Sequence, residues 1–577
     1  MSIFAKGRGM DTLSYEQLVL LENLTYMPHE RDAGMRDITF FEGHTVGDLI
    51  STIDFDNVPA SNDEYVHTTK EEWKQIIEAI EQDPVLMNME IRNVHQETVG
   101  TRSREGTAVL FRNPETQENV IAFRGSTKTE WADNFAIGGN QQTADGISSP
   151  AQERAKEWYE SLFGENGNGL LSSDDYITVI GHSKGGNKAK YVTILDAAEG
   201  APRAIDRCIS MDGQGFSDEF METYAYEVGV AHDKIVNLNA ESDFANALLN
   251  QVGRDYYFKA ANIGSGGFVE NHCPNAYLHF DENGSYSMIP GERDPMMKEF
   301  DLFLNSYLRS MSETNRNEAL ALVGEIVQGA RTGELGKSEI ISLLTSNENV
   351  DHVAYLLAYA REYQKRYPDV FFSIADVLLG DITDENKKGL IFTKALLLDS
   401  PLLDEFLKYE GARGAVFGRS MLNIKEIFRD CGIDLTDEQC RRLYILLIRT
   451  GEKMDEIEIN EFRRDKTPYF IDDYVPKEEN QSTPGGSDRA FFVVPDKLQT
   501  AASMMTQQST QLLSCSARAE SIAHSLRGEL ASVKSTVLAI CEQITQQSQC
   551  CKSMDSAIQQ ICAAYQLSES AACGRRV

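Results

Sequence analysis

The chain carries one junction that few folds accommodate. A short β-rich run, Tyr176-Ile177-Thr178-Val179-Ile180, meets Gly181-His182-Ser183-Lys184-Gly185, and a helix-like stretch follows from Asn187 to Ala198. A strand that turns directly into a helix with serine at the bend holds that serine in a strained backbone conformation. Small residues must flank it, because side chains there would strike the adjoining strand and helix. The hydroxyl is then lifted above the end of a sheet, and the first amides of the helix face any negative charge that forms beside it. The pattern predicts an α/β fold and makes Ser183 the expected nucleophile.

A serine is a weak nucleophile until a base takes its proton, and the base needs an orienting carboxylate. In α/β-hydrolases these partners follow the serine in the order acid, then histidine. The chain has ten histidines, and order removes most of them. His29, His44, His67 and His95 precede Ser183, His182 lies within the elbow, and His352 and His524 fall in later helical regions. His232 stands before the strand-like Lys234–Leu238, at the wrong end of a sheet, and His279 alternates with Leu278 and Phe280 as a strand residue does. His272, behind the glycine-rich Gly264-Ser265-Gly266-Gly267, is the expected base. For the acid, Asp243 lies just past the strand ending near Leu238, with Glu241 as a neighbour. Asp212, after the strand-like Arg207–Met211, is its rival.

Asn119–Phe123 reads as a buried strand that ends in Arg124-Gly125-Ser126-Thr127. A backbone amide there, with the amide of Lys184, forms the expected pair of oxyanion donors. Phe123-Arg124-Gly125-Ser126, Gly181-His182-Ser183-Lys184-Gly185-Gly186, Asp243 and His272 together resemble the class 3, or fungal-type, lipase family over roughly residues 10–310. Trp131 and Asp133 also fit that family's pattern. The resemblance implies an α/β-hydrolase domain that cleaves a lipid or acyl ester through Ser183, Asp243 and His272. It further implies an oxyanion hole to which Ser126 gives its amide and hydroxyl, with no metal and no organic cofactor required. A lid after the oxyanion residue would here comprise Trp131, Phe135 and Ile137, with Gly138-Gly139 as hinge.

A length of 577 residues predicts more than one domain, and 41% apolar residues suffice for sizeable cores. A net charge of −34 opposes binding to nucleic acid or to anionic membranes. No apolar run reaches the roughly eighteen residues that span a bilayer. Met1–Gly9 carries positive charges without a following apolar core, so no signal peptide is expected. The hydrolase domain is assigned to residues 1–310 and a helical middle region, with no legible chemistry, to 311–475. A polar, breaker-rich linker at 476–490 leads to a last module at 491–577.

That module bears two stripes of residues spaced alternately three and four apart, Leu498 to Leu526 and Leu530 to Tyr565, divided at Leu526-Arg527-Gly528. Folding back at Gly528 sets Gln508 opposite Gln547 as a polar register pair; one continuous long helix is the alternative. Six of the ten cysteines lie here without zinc spacing, and the fold-back lets Cys515 meet Cys541. A helical hairpin with a Leu-x-Gly bend and Tyr565-Gln566-Leu567-Ser568-Glu569 near its end resembles the WXG/LXG modules of type VII secretion. It departs from them in carrying leucine at the bend and in being C-terminal. The resemblance implies small helical partner proteins, export from the cytoplasm without a signal peptide, and an antibacterial lipase effector matched by an immunity protein. The competing expectation is a cytoplasmic acyl-ester hydrolase or acyltransferase whose coiled coil drives oligomerisation.

Overall fold

The four runs expected to be strands are strands, and they lie side by side. The computed structural model describes residues 12–366 apart from 28–33, 35–37, 59–67, 100–101, 127–129, 137–145, 165–168, 199, 262–271, 282–283 and 333. It also describes 429, 434–457 and the single positions 517 and 545. Strands β1 (Glu90–Val99), β2 (Arg102–Arg112) and β3 (Asn119–Phe123) pair antiparallel. From β3 on, each neighbour is parallel: β4 (Ile177–His182), β5 (Ile205–Met211), β6 (Ile235–Ala240) and β7 (Arg254–Phe258). The seven-stranded sheet therefore runs β1 to β7 in chain order. A separate two-stranded sheet joins β8 (His279–Phe280) to β9 (Tyr286–Ser287).

Helices α1 (Tyr15–Leu24), α2 (Val46–Ile50), α3 (Lys70–Glu81) and α4 (Pro84–Met87) precede the sheet. The parallel strands are linked by α5 (Trp131–Ala136), α6 (Pro150–Ser161), α7 (Lys184–Leu195), α8 (Asp218–Thr223) and α9 (Ala225–Ala231). Crossovers between parallel strands share one hand, so a sheet that grows in chain order collects its crossover helices on one face. The two cores follow from this. Side chains alternate along β3, sending Ile121 and Phe123 to the crossover helices, where they meet Trp158, Tyr159, Tyr191 and Val192. Val120 and Ala122 point the other way, to Leu18 and Leu21 of α1 and Trp73, Ile76 and Ile77 of α3. The α/β class is as expected: a mostly parallel sheet between two helical layers.

Helix α1 crosses the sheet lengthwise. Ser14 and Gln17 form a capping box at its start, where Leu13 N–H donates to Glu118 (2.9 Å) and Leu13 O accepts from Arg207 (2.9 Å). Its far end delivers Glu22 and Tyr26 to the elbow. Beyond residue 295 the described elements are helices: α10 (Pro295–Arg309), α11 (Glu313–Thr332), α12 (Lys337–Leu344), α13 (Val350–Arg366) and α14 (Asp437–Glu456). Helix α11 begins after the boundary expected at residue 310 and packs on α5. Its Gly324 faces Ala132 and Phe135, and Gln328 accepts from Ala132 N–H (3.0 Å).

The chain divides into two compact units, Met1–Lys477 and Glu478–Val577. The expected hairpin at 491–577, the Gln508–Gln547 and Cys515–Cys541 pairings, and Tyr565 with Glu569 lie outside the described residues. Among the described residues, no helix is long and apolar enough to cross a membrane.

Candidate active site

The carboxyl ends of the parallel strands form one edge, and every residue expected at the site stands there. Ser183 closes β4 and opens α7 with φ 58° and ψ −123°, a conformation that side chains rarely enter. Its N–H is held by Met211 O (2.8 Å) of the neighbouring strand. The elbow has no room for larger residues: a Cβ on Gly185 would overlap the carbonyl of Phe123, and one on Gly181 the carbonyl of Gly185. Ser183 makes no side-chain cap to α7, so its hydroxyl is free for other work. It lies 2.7 Å from His272 Nε2.

His272 comes from beyond β7, and its Nδ1 lies 2.5 Å from Asp243 Oδ2. Asp243 is fully buried three residues past the end of β6, with its second oxygen accepting from the N–H groups of Ala245 (2.7 Å) and Asn246 (3.0 Å). Both imidazole nitrogens are thus engaged, one by a hydroxyl and one by a fixed carboxylate. Phe244 and His182 lie tilted against the ring, each 4.9 Å between centroids. His279, by contrast, sits in β8 and reaches Lys259 O (2.9 Å), and His232 lies before β6 at the far end of the strands. Asp212, the rival acid, ends β5 and is also fully buried, but its partners are Tyr277, Asn246 and Ala240. His182, Asp212 and His272 offer ligand atoms within 4.8 Å of one another. With both His272 nitrogens committed, the arrangement is that of a proton relay rather than a metal cage.

The turn after β3 lies against the serine: a Cβ on Gly125 would come within 3.2 Å of Ser183 Cβ. Ser126 Oγ accepts from Asn134 Nδ2 (2.7 Å) of α5. Lys184 supplies the first amide of α7, and its side chain is buried against Asp133, with Ser149 Oγ at 3.1 Å. Burial would raise Asp133, but the charge and hydrogen bond of Lys184, with the Ala151 N–H and Ser149, together hold the carboxyl below its ordinary range. Lys188 pairs with Glu130 (3.0 Å), both buried. Helix α5 is therefore clamped to α7 by two buried ion pairs and braced by α11 from behind. Of the lid expected at Trp131, Phe135 and Ile137 with Gly138-Gly139 as hinge, Trp131 and Phe135 fall in α5, and residues 137–145 lie outside those described.

Sequence reasoning missed the support behind the elbow. Gly125 N–H donates to Tyr26 Oη (2.9 Å), which leaves the tyrosine's proton for His182 Nδ1 (2.8 Å). Glu22 Oε1 accepts His182 N–H (3.2 Å), and the Arg124 guanidinium lies 5.3 Å over the Tyr26 ring. Burial, then the neighbouring His272, push His182 well below the usual histidine range, so its ring stays neutral. Burial pushes Glu22 well above the usual carboxylate range. A charged residue inside the apolar run Leu18–Leu24 was the available signal.

Residues 80–322 match the family model described as Mbeg1-like. The mostly parallel sheet with helices on both faces is consistent with an α/β-hydrolase fold. Tyr26 and Glu22 lie outside that matched segment. The crystal structure of M37 lipase is similar at 13% identity and a TM-score of 0.25, covering 66% of this chain and 100% of that one. A likeness that low adds nothing to the geometry above. None of the curated proteins matches the chain.

Proposed function

We propose that the protein is a serine-dependent carboxylic ester hydrolase of the lipase type. The observation that carries this reading is the unbroken line Asp243–His272–Ser183, with contacts of 2.5 and 2.7 Å, ending on a strained serine at the start of a helix. Ser183 Oγ attacks the acyl carbonyl while His272 Nε2 takes its proton. Asp243 holds the imidazole by Nδ1 and stabilises the imidazolium. The oxyanion is met by the Lys184 amide, aided by the amino end of α7, and by Ser126. The alcohol leaves with the proton from His272, and water, activated by the same nitrogen, releases the acid and restores the serine. The apolar part of the substrate, and so the choice among phospholipid, glyceride and short ester, falls to the lining beyond these residues.

Ser183→Ala should abolish ester hydrolysis and fluorophosphonate labelling while leaving the unfolding midpoint within a few degrees of wild type. Loss of the nucleophile in a comparable relay lowers kcat by about a million-fold. Labelling that persists on another serine sinks the assignment.

For residues 491–577 the reading is a type VII-like targeting module that pairs with small helical proteins and carries the hydrolase out of the cytoplasm. Its support is the double apolar stripe, the Leu526-Arg527-Gly528 bend and the Tyr565…Glu569 spacing. A lipid-cleaving effector exported this way would act on competing bacteria, and its producer would need an immunity protein.

A further inference from the structure

Asp212 is a buried acid that the relay above leaves unused. It ends β5 as Asp243 follows β6, so the two carboxyls rise from adjacent parallel strands. Asn246 joins them: its backbone N–H donates to Asp243 Oδ1 (3.0 Å) and its side-chain amide to Asp212 Oδ1 (2.9 Å). Ala240 N–H adds a second donor to Asp212 Oδ1 (2.9 Å). Asp212 holds φ 46°, in the left-handed region that a residue with a side chain occupies at a cost of about 1–3 kcal/mol. One of its oxygens lies within 4.8 Å of a ring nitrogen of His272. Among the described residues, no lysine or arginine pairs with it.

The hydrogen bonds also locate a proton. Tyr277 Oη contacts both Asp212 Oδ2 and Leu238 O, the latter at 3.0 Å. A phenol has one proton and a carbonyl can only accept, so a protonated Asp212 that donates to Tyr277 Oη gives each contact its own proton. Burial, then the charge of Asp243, push Asp212 well above the usual carboxylate range, which agrees. The titratable groups that face it are Asp243, Tyr277, His182 and His272.

We propose that Asp212 is a reserve orienting carboxylate. While Asp243 is charged, Asp212 stays protonated and takes no part. When Asp243 loses its charge, Asp212 ionises and accepts the Nδ1–H of His272 in its place. The only bond broken is the Asp212 O–H, whose proton leaves to solvent. This inference rests on reading Ser183, His272 and Asp243 as a catalytic relay.

The test uses the full-length chain with Asp243→Asn, Asp212→Asn, both together, and Ser183→Ala, assayed on a short acyl ester. Neutralising an orienting acid that has no reserve lowers kcat by about 10⁴-fold. Here Asp243→Asn should lose only about 10- to 100-fold, Asp212→Asn less than about tenfold, and the double variant about another 100-fold. In Asp243→Asn, kcat should rise with pH more steeply than in the double variant, as Asp212 gives up its proton; a purely structural role predicts the same profile for both. A loss near 10⁴-fold in Asp243→Asn, the same pH profile in the single and double variants, or a double variant no worse than Asp243→Asn overturns the reserve role and leaves the relay standing. Hydrolysis that survives Ser183→Ala overturns the relay and the reserve with it.

Discussion

Ser183 at φ 58° is stable only because its surroundings leave it no alternative: Met211 O holds its N–H, and Gly181 and Gly185 pack without side chains on either side. The same economy extends to Tyr26, whose single hydroxyl serves Gly125 and His182 at once. Tyr26→Phe would leave the Gly125 N–H buried without an acceptor, at a cost of about 1–3 kcal/mol. Because Gly125 precedes Ser126, the proposed oxyanion residue, kcat should fall by roughly tenfold or more with KM little changed. Chemical denaturation and steady-state kinetics on the one variant check both. Ser183, Asp243 and His272 were legible from chain order, because that order follows from how parallel strands deliver loops to one edge. Tyr26, Glu22 and Asn246 were not, since their roles come from contacts with residues distant in sequence. Asp212 was visible only as a rival acid, and its proton depends on Tyr277, which no spacing rule connects to it.

Helix α7 is the element that defies an ordinary reading. Its three lysines would pass for a solvated face, yet every residue from Lys184 to Leu195 is buried. Lys184 and Lys188 find carboxylates on the segment before and within α5, while Lys190, among the described residues, donates to Gly213 O (3.1 Å) and Gln251 Oε1 (2.6 Å). A sequence cannot show where such partners come from, so the strand before the elbow was easier to read than the helix after it. Burial lowers Lys190 from 10.5 to about 8. Between those values the unfolded chain holds a proton that the folded chain has released, so stability rises with pH across that window. The penalty is fully present below about pH 8 and is relieved as pH approaches 10.5, by up to roughly 3 kcal/mol. Lys190→Met should remove that part of the rise. Urea unfolding of both proteins at pH 7.5 and 10 measures it, and equal pH dependence would contradict the argument.

At the scale of the whole chain, the break between Lys477 and Glu478 divides the unit with the relay from the rest. Truncation at Asp488 should leave ester hydrolysis within about twofold, since no residue of the proposed relay lies beyond His272. It should also end pull-down of small helical partners and export. A tail that only self-associates, with export unchanged by truncation, would retire the secretion proposal and spare the hydrolase. The sheet order has its own consequence, in time rather than space. Helix α1 is made early, but His182, which Glu22 grips, lies 160 residues downstream, and Pro274, which Asn23 reaches, lies 251 downstream. At a synthesis rate of about 5–20 residues per second, α1 waits roughly ten to thirty seconds for the elbow that Glu22 holds. Through that interval Leu18 and Leu21 have α3 and the first strands of the sheet against them, but not the elbow. The pace of translation thus sets how long α1 goes without the elbow it supports.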